Sequence, residues 1–232
     1  MKCCLLCQRR KYEPFSFAWL FSLQSESDAL LCQLCQSAFT PLKEKICTGC
    51  GREGTYVNYC TDCQRWLQTG ISELLYNRAL YRYNDAMKKY FEQFKFAGDY
   101  YLRILFKREL ARFLRQRYRQ GWLFVPIPVT AETATKRCFN QVEGLFENVT
   151  LHKVIYSKIK SKKQQSLLKR RARLQTPQPF AITSQDQSRL SGGAKVVLVD
   201  DIYTTGGRTL YHARAVLKAA GVAQIRAVTL AR

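Results

Sequence analysis

The chain has 232 residues, with 38 Lys and Arg against 17 Asp and Glu, for a net charge of +21. That excess points to polyanionic partners, nucleic acid first, with a merely soluble basic protein as the plain alternative. No apolar run approaches the ~20 residues that span a bilayer. The opening Met1-Lys2-Cys3-Cys4-Leu5-Leu6-Cys7 has too short an apolar core for a signal peptide, so the expected location is the cytoplasm. There the ten cysteines are expected as thiols or metal ligands rather than disulfides.

Eight of those cysteines form C-x-x-C knuckles: Cys4/Cys7, Cys32/Cys35, Cys47/Cys50 and Cys60/Cys63. Two residues between thiolates let both sulfurs reach one tetrahedral ion, and two knuckles complete a four-sulfur zinc site. The expectation is two zinc ions, with the first two knuckles on one and the last two on the other. Cys3 competes with Cys4 as a ligand in the first. Such closed sites serve stability or nucleic-acid contact, not catalysis. Phe15, Phe17, Trp19, Leu20 and Phe21 lie between the first knuckles as a small core or a docking surface. Residues 1–66 are read as a zinc-ribbon module, 67–75 as a linker and 76–232 as a second domain.

In that second domain, Ala79-Leu80-Tyr81-Arg82-Tyr83 reads as a strand. Asn84 or Asp85 can cap a helix through Met87, Tyr90, Phe91 and Phe94, which Phe96-Ala97-Gly98-Asp99 ends. A second helix is expected over Tyr100 to Arg119, with an apolar face at Leu102, Leu105, Phe106, Leu110, Phe113 and Leu114. Its basic face is read as solvated. Trp122-Leu123-Phe124-Val125 is a buried strand stopped by Pro126 and Pro128. The segment after it carries Lys136, Arg137, Asn140 and Gln141, and Cys138 is read as packed.

A densely basic stretch follows, with Lys158, Lys160, Lys162, Lys163, Lys169, Arg170, Arg171 and Arg173. Three readings stay open: a cover over a bound phosphate ligand, a track for a nucleic-acid backbone, or a solvated arm. Then Val196-Val197-Leu198-Val199 reads as a buried parallel strand ending in Asp200 and Asp201. Ile202-Tyr203-Thr204-Thr205-Gly206-Gly207-Arg208-Thr209 forms a turn into a helix through Leu210, Ala213, Val216 and Leu217. Small residues let backbone N–H groups close around an anion, and the helix N-terminus adds a positive dipole end. The acids suit ribose hydroxyls, or a Mg²⁺ that the ligand's pyrophosphate also holds. The ligand therefore has a phosphate for the loop and a sugar for the acids. Ile225 to Leu230 closes the chain as a last strand.

The Asp200–Thr209 stretch resembles the phosphoribosyl pyrophosphate (PRPP) signature of type I phosphoribosyltransferases. The resemblance implies an α/β fold, a parallel sheet with helices on both faces, behind the zinc-ribbon module. It implies PRPP contacts from Asp200, Asp201, Thr204, Thr205, Gly206, Gly207, Arg208 and Thr209, Mg²⁺ with the PRPP, and pyrophosphate contacts from Lys136 and Arg137. Relatives place Thr two residues after the loop Gly, and here the loop holds one residue more. Either Arg208 takes the Thr position or the loop bulges by one.

Over nearly the whole chain the sequence resembles the ComF family. The resemblance rests on the zinc knuckles, Phe94-Lys95-Phe96-Ala97-Gly98-Asp99, Val125-Pro126-Ile127-Pro128, Arg137-Cys138-Phe139-Asn140-Gln141, Gln165-Ser166-Leu167 and Asp200-Asp201-Ile202-Tyr203-Thr204-Thr205-Gly206. Cys138 stands where relatives have Gly. Membership implies natural transformation, with incoming single-stranded DNA handled in the cytoplasm beside a helicase-like ComF partner, and peripheral association with the uptake machinery. Two other functions stay open: a working phosphoribosyltransferase of nucleotide salvage, and a non-catalytic adaptor. Related purine enzymes carry an acid two residues before the loop Gly, where this chain has Thr204, which cannot act as a general base at neutral pH. His152 and His212 have no evident geometric claim from sequence.

Overall fold

The computed structural model describes residues 3–10, 30–43, 45–159 and 178–232. Two short helices follow cysteine knuckles: α1 (Gln33–Ala38) begins at Cys32 and α2 (Thr61–Gln68) begins at Cys60. Next come β1 (Tyr76–Tyr81), α3 (Asp85–Lys95), a 3₁₀ turn (Tyr100–Leu105), α4 (Lys107–Arg117) and β2 (Trp122–Pro126). After these come α5 (Ala131–Arg137), α6 (Gln141–Leu145) and a small antiparallel pair, β3 (Tyr156–Ser157) with β4 (Phe180–Ala181). The chain ends with α7 (Ser184–Leu190), β5 (Lys195–Ile202), α8 (Arg208–Ala219) and β6 (Gln224–Ala231).

Four strands make one sheet in the order β1-β6-β5-β2, parallel throughout. The aliphatic run of β5 explains why that strand is central. Val196, Val197, Leu198 and Val199 are all fully buried, as a parallel strand covered on both faces requires. Each such side chain contributes about 1.5–3 kcal/mol over an exposed one. Alternation sends Val196 and Leu198 to a core shared with α8, where Leu210, Ala213 and Leu217 wait. Val197 and Val199 go to the other face, against Phe91 and Phe94 of α3 and Leu110 of α4.

The cysteine groups pack on opposite faces of this sheet. Cys47, Cys50, Cys60 and Cys63 belong to the α8 side. Cys4 belongs to the α3 side, where Gln93 Nε2 donates to the Leu6 carbonyl at 3.1 Å. The sheet reaches back to Tyr76, three residues earlier than the strand expected at Ala79, and α2 extends to Gln68.

Asn84 caps α3 as expected, its Oδ1 accepting from the Met87 N–H at 3.0 Å. The continuous helix expected over Tyr100 to Arg119 is instead broken at Phe106, between the 3₁₀ turn and α4. Phe106 is 3% exposed, and its ring makes edge contacts with Phe39, Tyr81 and Tyr90 at 4.9–5.3 Å between centroids. Packing of that ring overrides a modest local helix preference.

Cys138 is not packed. It is exposed, and it ends α5 in the left-handed conformation, at φ 60° and ψ 8°. That geometry explains why glycine suits the position, since a Cβ there costs roughly 1–2 kcal/mol. Cys138→Gly is therefore expected to stabilise the protein by about 1 kcal/mol in chemical denaturation; an unchanged or lower midpoint would contradict the strain.

Candidate functional site

A cavity of about 680 Å³ opens at the carboxyl ends of β2 and β5, where ligands bind in open parallel sheets. The register sets its floor. Pro126 pairs with Val199, and Asp200 with Thr229, so β2 leaves the sheet as β5 presents its acids. Successive strand residues point to opposite faces. Asp201 accordingly turns towards α3, where its Oδ2 meets Lys95 Nζ at 2.6 Å. Both side chains are nearly buried, at 9% and 12% exposed. Asp200 turns to the α8 side. Burial, then the neighbouring Asp201 charge, pushes its carboxyl well above the usual carboxylate range. One acid is thus compensated by a lysine, and the other is poised to accept or share a proton.

The turn after β5 supplies the second wall. Thr205–Gly207 is a 3₁₀ turn, with Gly206 at φ 79° and Gly207 at φ 60°. Gly207 lies against the Tyr203 ring, where a Cβ would sit 2.3 Å from ring atoms. The extra loop residue is absorbed as this second left-handed glycine, and α8 starts at Arg208. Thr204, Arg208 and Thr209 all line the cavity. Gly206 and Gly207 shape the turn without lining it. The first N–H groups of any α-helix lack partners inside the helix, and at α8 they sit beside this cavity.

On the β2 side, Thr130 caps α5 by accepting from the Thr133 N–H at 3.2 Å. Thr133, Arg137, Gln141 and Val142 reach the cavity, whereas Lys136 is exposed and does not line it. Asn140 is structural: its Oδ1 accepts from the Val142 and Glu143 N–H groups, capping α6. Gln141 is 7% exposed, and its Oε1 has no hydrogen-bond partner among the described residues. It is an acceptor held ready at the cavity wall. Ser157, Ile159, Pro179 and Phe180 complete the lining. Lys158 is exposed and does not line the cavity. Lys160, Lys162, Lys163, Lys169, Arg170, Arg171 and Arg173 lie outside the described residues.

Two cavity residues were not legible as such in the sequence. Lys95 comes from the end of α3, 106 positions before its partner Asp201. His212 lines the cavity one helical turn after Arg208. Burial and the Arg208 charge lower its pKa, so its imidazole is neutral at pH 7. The i, i+4 spacing of Arg208 and His212 was the available signal.

The cysteines form two groups, Cys4-Cys7-Cys32-Cys35 and Cys47-Cys50-Cys60-Cys63, each with all sulfurs within 4.8 Å of one another. Cys3 is exposed and outside the first group. With Zn–S bonds of about 2.3 Å, a tetrahedral site sets its sulfurs about 3.8 Å apart. The Cys7–Cys32, Cys47–Cys63 and Cys50–Cys60 sulfurs are 3.7, 3.6 and 3.4 Å apart. The sulfur-only donor set and spacing fit zinc. Hydrogen bonding with Cys50 and Cys63 pulls the Cys47 thiol far below its ordinary value, and hydrogen bonding with Cys47 and Cys50 pushes Cys63 far above. Four thiols this close cannot all ionise unless a cation joins them.

The profile of the phosphoribosyl transferase domain family matches residues 103–232. The sheet, the strand-end acids and the turn into α8 therefore form a phosphoribosyltransferase-like domain. Over 229 residues the chain is 34% identical to competence protein ComFC of Streptococcus pneumoniae, covering 99% of both chains. It is 31% identical over 236 residues to competence protein ComFC of Bacillus subtilis, covering 99% of this chain and 94% of that one. The chain belongs to the ComFC family of competence proteins.

Metal analysis of the purified protein is expected to return two zinc ions per chain, and one for either Cys7→Ser or Cys63→Ser. A single zinc in the wild type would contradict the second centre.

Proposed function

We propose that the cavity binds PRPP and that the protein handles incoming single-stranded DNA in the cytoplasm during natural transformation. One observation carries the first part: two strand-end carboxylates, the start of α8 and Arg137 converge on one cavity. Its chemistry is divided as PRPP's is. The Thr204–Thr209 turn offers backbone N–H groups and hydroxyls to the 5′-phosphate. Asp200 and Asp201 accept from the ribose hydroxyls, with Lys95 paired to Asp201 at 2.6 Å. Arg137 faces the pyrophosphate. Lys95 meets Asp201 Oδ2 at 2.6 Å, and Mg²⁺ held by the ligand's pyrophosphate would take the remaining carboxylate oxygens of Asp200 and Asp201. Lys136 is left for the outer edge of the site, and the basic stretch from Lys158 to Arg173 for its cover or for DNA.

The DNA part is supported by the relatives' names as competence proteins and by the +21 charge. On α4, Arg108, Arg112 and Arg115 are exposed at i, i+4 and i+7, one basic stripe. A helicase-like ComF partner and peripheral contact with membrane uptake machinery complete this reading. No helix among the described residues is long and apolar enough to cross a membrane.

Turnover is a second reading, and one observation favours it: neutral His212 lines the cavity and offers a base where Thr204 cannot. Phosphorus NMR of PRPP with Mg²⁺ and the zinc-loaded protein separates the readings. Broadened PRPP signals without turnover, lost in Asp200→Ala/Asp201→Ala, are expected. Pyrophosphate released with one particular base would make turnover the function. No interaction in the wild type would refute PRPP binding.

Affinity for an oligothymidylate is expected to fall steeply with salt. Each phosphate contact adds about −0.7 to the slope of log K against log salt, so Arg108→Ala/Arg112→Ala should flatten it by about 1.4. A wild-type affinity indifferent to salt would contradict the DNA reading.

A further inference from the structure

The Gly206-Gly207 turn is the weakest backbone in the site. Two consecutive left-handed glycines give up more conformational freedom than any other pair, so the bond within the turn, from the Gly207 N–H to the Thr204 carbonyl at 2.9 Å, needs support from outside it. That support comes from the Cys47-Cys50-Cys60-Cys63 group. Trp66 lies on α2, which begins at Cys60 and contains Cys63. Its Nε1–H donates to the Gly206 carbonyl. Its ring stacks on Tyr211 of α8, with centroids 4.0 Å apart and planes 23° apart. In a trans peptide the carbonyl and the following N–H point in opposite directions. Fixing the Gly206 carbonyl on the Trp66 side therefore fixes the orientation of the whole Gly206–Gly207 peptide.

A second strut runs from the same cysteines. Arg232 Nη2 donates to Cys50 Sγ at 3.2 Å and lies 3.7 Å from Asp62 Oδ2 on α2. Its Nη1 is 3.5 Å from the Tyr203 carbonyl, and its guanidinium lies over the Tyr203 ring at 4.4 Å. That ring is the surface on which Gly207 rests. The side chain of Arg232 is 8% exposed. Between them, Trp66 holds the turn from above Gly206 and Arg232 holds the ring beneath Gly207.

We infer that Trp66 and Arg232 are positioning residues that carry the state of the Cys47-Cys50-Cys60-Cys63 centre to the Thr204–Gly207 turn. The turn keeps its shape only while that centre is closed on its metal. Removing the metal frees the start of α2, takes away the seat of Trp66 and leaves the turn to its own Gly207–Thr204 bond. The inference makes the cysteine centre a condition of phosphate binding. In that consequence, though not in the coupling itself, it rests on the reading of the cavity as a PRPP site.

Hydrogen exchange followed by mass spectrometry on the full, zinc-loaded chain tests the coupling without any ligand. Trp66→Phe keeps the stack on Tyr211 and removes only the donor. It is expected to speed exchange in peptides covering residues 204–209 by roughly five- to tenfold, the worth of one hydrogen bond. Exchange in β5 and the zinc content should stay as in the wild type, which a merely structural role would not allow. Chelating the zinc of the wild-type chain should give the same faster exchange at 204–209. Unchanged exchange at 204–209 in Trp66→Phe, or on chelation, would overturn the inference. A parallel titration with PRPP and Mg²⁺ should show about tenfold weaker binding by Trp66→Phe. If the wild type fails to bind PRPP, the proposed function falls while the exchange data still decide the coupling.

Discussion

Two adjacent carboxylates at the end of a buried strand are the constraint on which this structure turns. Burying one charge is costly, and burying two side by side is more so. The fold solves the problem by pleat. Asp201 is sent to the α3 face and matched by Lys95 at 2.6 Å, while Asp200 is left at the cavity with a raised proton affinity. The solution needs cover on both faces of β5, which α8 gives on one side and α3 on the other. The wholly aliphatic approach from Val196 to Val199 follows from that cover.

Around the acids, each wall of the cavity is built from a different kind of local signal. Thr130 and Asn140 are helix caps, and they set where α5 and α6 begin. Arg137 reaches inward from the same helix whose next residue, Cys138, takes the left-handed position at its end. The turn into α8 depends on glycine twice over, for its φ values and for the room that Tyr203 leaves. The cysteine groups do not stand apart from this machinery. One packs on each face of the sheet, and the second reaches the turn through Trp66 and Arg232.

The parts of this arrangement that depend on nearby residues could be read from the chain. The β5-turn-α8 unit, the Asn84 cap and the pairing of the knuckles are all written within short windows of sequence. The parts that depend on distant side chains could not. Lys95 meets Asp201, Trp66 meets Gly206 and Arg232 meets Cys50 across more than a hundred residues, and no periodicity announces such pairs. The break at Phe106 had the same origin, an aromatic cluster assembled from Phe39, Tyr81 and Tyr90. His212 could be named from the sequence but not placed, because its claim depends on α8 beginning at Arg208, which the doubled glycine decides.

The most direct test of the account is a crystal structure of the zinc-loaded protein with PRPP and Mg²⁺. The 5′-phosphate is expected against the backbone of Thr204 to Thr209 and the ribose hydroxyls on Asp200 and Asp201, with Lys95 still paired to Asp201. A ligand bound in the opposite sense, with its pyrophosphate in the turn, or bound away from the β5 acids, would contradict it.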